Sequence, residues 1–566
     1  MAEHQLLKQF AEDYWAFRCA EFPIEAIMAG VATDAGSLFR EAPADHRRRA
    51  EWAEAALAKL RTIATDALDP QDRASWLLLE HELSALVSAV ACRAYLRPPL
   101  YPLGPDFTLS YWANATALAT VADAHIYIAR LQTVPAALGD IRALLGEGAG
   151  QGLRYPRLVI ERAVEQARGM VAMPVAANAF FQPLARTASR SAAWATLAEE
   201  GRAVVERAVY PAVLAYADFL ETVLLPAARD GLASIDDVDG DAFYGHLIRE
   251  YTTLPGDPHD IHALGLAEVE RITGEMLAVA ADAGCAGDLG EFRRRLQTDN
   301  SQIAESGEAL REQIEILSKR IDARIPEFFG RLPRTTYGVQ SIPEAVAEKM
   351  PPAYAQPNPA DGSMSGVHWI TSIPGKCPRY MHIPLALHEA WPGHLMHLAL
   401  IQEMHELPAF RRAGGLRYSA CLEGWALYCE RLGEEMDFYD TPEKRYGRLE
   451  MEIWRAVRLV VDTGIHAKGW SREQGIAYFQ ANMAMPLDTV TAEVDRYIGL
   501  PGQALAYQIG NLKFRELRER AEAALGDDFR IRDFHDALMA AGPVTLPVLE
   551  ALIDDWTARQ QVAEAA

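Results

Sequence analysis

Apolar residues recur three and four positions apart along most of this 566-residue chain, and that spacing restricts it to a largely helical fold. HRRRAEWAEAALAKLRTIA (46–64), RASWLLLEHELSALVSAVAC (73–92) and WATLAEEGRAVVERAVYPAVLAYADFLETVL (194–224) each carry such a stripe. So do PHDIHALGLAEVERITGEMLAVAADAG (258–284), with Gly284 as its expected stop, and SQIAESGEALREQIEILSKRIDARI (301–325). One region departs from the pattern. From Pro326 to Pro384 there are ten prolines, and proline neither donates a backbone hydrogen bond nor fits a helix interior. Loops and short extended pieces are expected there, with GVHWITSI (366–373) as the strand candidate. Tyr337, Tyr354 and Trp369 are aromatics that expect partial burial, so the segment is expected to wall a cleft rather than to link domains.

Composition removes several classes of function. A chain that is 50% hydrophobic and 566 residues long buries ample apolar surface and needs no cross-links. Its net charge of −23 argues against nucleic acid and anionic membranes as partners. The six cysteines, Cys19, Cys92, Cys285, Cys377, Cys421 and Cys429, contain no C-x-x-C pair, which disfavours a disulfide framework or a cysteine-rich zinc site. The opening MAEHQLLKQFAEDYWAF has early acids and no long apolar stretch, so no signal peptide is expected. The most apolar long segment, 208–228, is interrupted by Asp218 and Glu221 and is expected to be too polar to span a membrane. A soluble, cytoplasmic setting is the expectation.

The residues that carry chemistry lie in HEAWPGHLMH, 388–397. It begins as a zinc-protease motif begins, with His388 and Glu389, yet the second histidine of H-E-x-x-H is replaced by Pro392 and the next histidine is His394. Two histidines four apart on a helix share a face after about 400° of rotation; six apart leaves them about 120° out of line. A regular helix therefore cannot bring His388 and His394 to one ion. Pro392 cannot donate to the carbonyl of His388, and Gly393 frees the backbone, so a bulge at Trp391-Pro392-Gly393 is expected to restore the pairing.

Catalytic zinc usually takes three protein ligands and keeps one position open. Glu423, in RYSACLEGWALYCERLGEEM (417–436), starts inside an apolar run where an acid is costly unless paired or metal-bound. It is the expected third ligand, and Glu430, seven residues on, the expected support for one of the ligands. A lone His-Glu pair is ordinarily a solvated surface feature, and His368, His382, His397 and His405 are read as surface or packing histidines. The combination of H-E-x-x-P-G-H with a downstream buried acid is what points to a metal.

HEAWPGH, the later EGWALYCE and EVDRYIGLPGQALAYQIG (493–510) together resemble the bacterial family called domain of unknown function 885. The resemblance extends to EYTTLPGDPHDIHALGLAEVERI (250–272) and to FAEDYWAFRCAEFPIEAIMAG near the start, and so covers nearly the whole chain. That family is similar in architecture to gluzincin metallopeptidases such as angiotensin-converting enzyme and carboxypeptidase Taq. The resemblance implies a mainly α, two-lobed helical fold around a long cleft, with a few short strands near the active site. The chain is expected to be a single catalytic unit over 1–566, with an N-terminal lobe at 1–250 and a metal-site lobe at 251–566. His388, His394 and Glu423 are implied as ligands of one zinc ion per chain, with Glu389 as general base. Arg496-Tyr497 resembles the arginine–tyrosine pair of angiotensin-converting enzyme, which makes Tyr497 the first choice for steadying an oxyanion and Tyr507 the second. Two departures stand out: Leu395 follows His394 where the family commonly has a further histidine, and Leu427 stands where many gluzincins have an acid.

The expected function is cleavage of a peptide or amide bond in a small substrate by metal-activated water. His466 is a further candidate for the oxyanion, or else a capping or packing residue. Arg455, Arg458 and Arg496 are placed either to fork a substrate carboxylate or to form ion pairs with acids such as Asp462 and Asp495. An amide or ester hydrolase of specialised metabolism uses the same water attack. A non-catalytic metal-binding or scaffold protein is the third reading; Glu389 speaks against it, because a closed structural site has no use for a base. Oligomeric state is not readable.

Overall fold

A computed structural model describes residues 2–31, 38, 40–348, 350–359, 362, 364–414 and 417–565. Helices account for most of them, and the expected starts and stops are visible in the chemistry of the ends. Asp69 accepts from the Asp72 backbone to open the helix Pro70–Ala91, and Asp257 accepts from the His259 backbone to open Pro258–Asp282. The latter is followed by Gly284 at φ +78°, the left-handed position where glycine carries no Cβ penalty.

The proline-rich segment holds the strands. β1 (Tyr337–Ser341) runs parallel to β3 (Gly366–Ile370), and β2 (Ala353–Gln356) runs antiparallel to it, giving the order β1-β3-β2. The strand expected in GVHWITSI is thus the central one. Residues 349, 360, 361 and 363 of this segment lie outside those described.

Six helices frame the motifs: α1 (His382–Glu389), α2 (His394–Glu403), α3 (Ser419–Glu435), α4 (Pro442–Lys468), α5 (Leu487–Gly499) and α6 (Leu505–Leu525). The sheet packs on α1 and α4, where Val339, Ala353 and Ile370 meet Leu385 and Met451.

Two large cores hold the chain together. One joins Leu100–Leu224 side chains to Val269–Leu296 and to the Tyr446–Ala504 stretch of α4 and α5. The other joins Leu7–Leu83 to Ile321–Tyr439 and then to Phe514–Ile553. Leu7–Leu83 side chains thus pack with the metal-motif helices, while Leu38 joins the first core, with Ile24 and Ile27 packed against that core. Buried apolar area, not sequence order, decides which segments share a core. α1, α2 and α3 belong to the second core and α4 and α5 to the first, so the motifs meet along the seam between the two.

The stretch Ala192–Ala227 is, by length and composition, apolar enough to cross a membrane, which corrects the expectation that its charges make it too polar. Its Val205, Val209, Val213, Tyr216, Leu220 and Leu224 stripe is buried in the first core.

Candidate metal centre

The bulge expected at Trp391-Pro392-Gly393 is instead a complete break between two helices. α1 ends at Glu389, α2 begins at His394, and the Trp391–Pro392 peptide is cis. Glycine is required at 393 for a steric reason: a Cβ there would overlap the carbonyl oxygens of Leu387 and His388. Trp425 Nε1 donates to the Pro392 carbonyl at 3.0 Å, pinning the break to α3. The spacing mismatch of two residues is absorbed by ending one helix and starting another.

His388 and His394 now stand with their ring centroids 4.7 Å apart and nearly perpendicular. Both direct Nε2 at Glu423 Oε2, at 3.5 and 3.6 Å, and the three ligand atoms all lie within 4.8 Å of one another. Glu423 reaches this point because Gly424, its neighbour, faces Gly510 of α6; a Cβ on either glycine would overlap the other helix's backbone. The close approach of α3 and α6 also brings Tyr507 near Glu423.

Beyond the ligand atoms, His388 Nδ1 is 2.8 Å from Glu430 Oε1, whose backbone carbonyl accepts from the Tyr439 hydroxyl at 2.7 Å. That contact sets the histidine's tautomer, with Nδ1 as donor and Nε2 left facing Glu423. Burial disfavours a charged His388, but Glu423 and Glu430 outweigh it and push the imidazole up to about 9. Burial likewise acts to raise Glu423, and the two imidazoles hold it well below the usual carboxylate range. The cluster is built around a positive charge.

These residues fit a zinc ion. Ligand atoms about 2.0–2.1 Å from a tetrahedral zinc stand about 3.3 Å apart, close to the 3.5 and 3.6 Å separations found here. Glu423 Oε2 is buried without a hydrogen-bond partner, a costly condition that a cation relieves. Two imidazoles and one carboxylate suit zinc and leave a position for water. Glu389, half-buried, follows His388 directly at the end of α1.

The other expected residues separate into two groups. Tyr507 lies within electrostatic reach of Glu423, Arg458 and Arg496; burial first and the Glu423 charge second raise its phenol. Tyr497, the first choice from the sequence, is fully buried, with its hydroxyl donating to Glu493 at 2.6 Å and accepting from Arg458 Nε at 3.1 Å. It holds an ion cluster together, since Glu493 and Tyr497 are four apart on α5 and share a face. Arg496 is occupied by Glu493 and by Gln503. His466 is also fully buried: Nδ1 contacts Ser234 Oγ at 3.0 Å and Nε2 the Tyr497 carbonyl at 2.9 Å, so it packs α4 against α5. Burial draws it down to about 4.

Asp462 and Asp495 are not the arginines' partners; Asp462 accepts from the Tyr244 hydroxyl and the Gly502 amide, and Asp495 pairs with Arg162 and Arg472. Two histidines read from the sequence as surface or packing residues lie deep beside the cluster. His368 on β3 and His397 on α2 are drawn to about 4 and about 3, by burial first and then by His388 and His394 respectively. Neither ring nitrogen of His368 has a hydrogen-bond partner. His368 shares its face of β3 with Gly366 and Ile370, and because Val367 on the opposite face is buried too, alternation along GVHWI does not by itself mark the inward face.

The fold and site define a mainly helical protein with one small three-stranded sheet and a buried two-histidine, one-carboxylate cluster. The chain belongs to the family described as bacterial protein of unknown function (DUF885), which matches residues 23–553. It is similar to the crystal structure of the "putative lipoprotein" from Colwellia psychrerythraea, at a TM-score of 0.91 and 26% identity over 99% of both chains. It also shares its fold with a "putative lipoprotein of unknown function" from Shewanella oneidensis, at a TM-score of 0.75 and 17% identity over 97% of this chain and 99% of that one. None of the curated proteins compared matches it in sequence. These descriptions overturn the expectation of a cytoplasmic setting: each of these two solved structures is described as a "putative lipoprotein".

Proposed function

We propose that this protein is a zinc-dependent, gluzincin-like hydrolase that cleaves peptide or amide bonds in small substrates with an activated water. The observation that supports it best is the convergence of His388 Nε2, His394 Nε2 and Glu423 Oε2 beside a glutamate that is not itself a ligand. A divalent ion in such a set supplies Lewis-acid chemistry, polarising a carbonyl and acidifying water toward neutrality.

The chain's own residues then divide the work. His388, His394 and Glu423 hold the ion, and Glu430 keeps His388 turned toward it. Glu389 takes a proton from the attacking water and returns it to the leaving amine, help worth about 10² to 10⁴ in rate. Tyr507 donates its phenol to the developing oxyanion.

Metal analysis of the purified chain tests the reading. About one zinc per chain is expected in the wild type and in Glu389→Gln, and none in His388→Ala. Hydrolysis of a peptide and amide panel is expected in the wild type alone. A wild type that contains no metal and fails to take up added zinc overturns the proposal.

A further inference from the structure

Arg458 of α4 is buried at the seam between the cores, its guanidinium carbon 4.7 Å from the Trp454 ring centroid and 4.3 Å from that of Tyr507. Two of its three nitrogens are engaged: Nε donates to the Tyr497 hydroxyl at 3.1 Å and Nη2 to Glu493 Oε2 at 3.2 Å. Nη1 is buried with no hydrogen-bond partner. A guanidinium N–H in that condition is expensive unless a ligand answers it.

The neighbouring carboxylates leave Nη1 unanswered. Arg496 shares Glu493 with Arg458 and gives its remaining nitrogen to Gln503. Arg455, one turn before Arg458, has Glu430 at 3.6 Å, a carboxylate already engaged by His388, and its own Nε is buried and unpaired. Three guanidiniums face three carboxylates, Glu430, Glu493 and, farther off, Glu423. Each is already engaged, Glu430 by His388, Glu493 by the Tyr497 hydroxyl and Glu423 by the two imidazoles, so none answers Nη1. A planar donor edge left open in a buried site matches a planar carboxylate. Tyr507, whose ring lies against Arg458, also feels the charge of Glu423, which sets the arginine cluster beside the metal ligands.

We infer that Arg458, supported by Arg455 and Arg496, forms a carboxylate-binding subsite next to the metal centre, so that the substrate of the hydrolase proposed above carries a free carboxylate close to the bond cleaved. This assignment rests on that reading for its place in a reaction, but the subsite is measurable without turnover.

The test uses the full chain freed of metal by a chelator, so that no ion competes for the probe. Calorimetry compares N-acetylphenylalanine with its C-terminal amide, two ligands that differ in the carboxylate alone. The wild type is expected to bind the acid about 10-fold or more tightly than the amide, the worth of a charge-assisted hydrogen bond. In Arg458→Gln that ratio falls to about 1. Arg458→Lys keeps the charge but loses the planar edge, and its ratio falls by about 3-fold or more; it carries the test if the glutamine variant fails to fold. Equal binding of the two ligands by the wild type, no binding of the acid, or a preference that survives in both variants overturns the subsite. A carboxylate preference in a protein that hydrolyses nothing supports the subsite and sinks the hydrolase reading alone.

Discussion

Replacing Glu430 by glutamine and by alanine separates the charge of this carboxylate from its hydrogen bond. Its Oε1 accepts from His388 Nδ1 at 2.8 Å and lies 3.6 Å from Arg455 Nη2, while its backbone carbonyl, which neither change touches, keeps the Tyr439 hydroxyl. Carboxylates that orient a ligating histidine are worth about 10- to 100-fold in metal affinity, or about 1.4–2.7 kcal/mol. Glutamine retains an oxygen to accept from Nδ1 and loses only the charge, so Glu430→Gln should weaken zinc binding by about 10-fold. Alanine loses both, frees the ring to rotate, and should approach 100-fold. Arg455 also loses the charge of its salt-bridged carboxylate in both variants; the 3.6 Å separation is long, so the added stability cost belongs near the low end of the roughly 3–5 kcal/mol for a broken buried pair. Competition against a chromophoric chelator near neutral pH measures the affinities, and denaturant melts of the metal-free proteins measure the stability. Zinc affinities within about 3-fold of wild type for Glu430→Ala would refute the argument that this contact orients His388.

Two further outcomes follow from the packing. Gly424→Ala sets a methyl group into the backbone of α6 at Gly510, where no side chain can move aside; a stability loss of about 1–3 kcal/mol and weaker zinc binding are expected, and an unchanged melt would show that the helices separate freely. Asp462, drawn up to about 7 by burial, stays protonated in the folded chain while the unfolded chain ionises near 4, so its contribution is greatest below about pH 4 and is lost as pH rises toward 7. Between pH 5 and 8 the wild type should lose about 2–3 kcal/mol more than Asp462→Asn, and parallel losses in denaturant titrations would contradict the assignment.

Much of the site was legible because its requirements are local. The unusual spacing of His388 and His394 demanded an interruption, and Pro392 and Gly393 stood where one was needed. An acid in an apolar helix, Glu423, announced an unusual partner for the same reason. The manner of the interruption was less legible, because a bulge and a full break satisfy the same spacing. The surroundings of Tyr497 and Tyr507 were not legible, for want of a long-range fact: which face of α5 meets α4. The local clue was present in the i, i+4 pair Glu493–Tyr497, which ties the hydroxyl to its own helix. His368 was taken as peripheral because a histidine in a short strand has two faces to choose from, and only the packing of β3 against α1 and α4 decides between them. The assembly of the cores was not legible at all, since nothing in a periodic helix names its distant partner.

The way the second core is assembled has a consequence for the order of events during synthesis. The metal motifs lie past the middle of the chain, yet the apolar surface that surrounds them comes from both extremes, Leu7–Leu83 and Phe514–Ile553. While the ribosome is still making the last of these residues, α1, α2 and α3 have no complete shell, and the amino-terminal helices must wait for partners more than 400 positions away. Loop closure over such a span is slow and leaves greasy surface uncovered meanwhile. Trimming the chain at either extreme should therefore cost the metal centre, although neither extreme supplies a ligand.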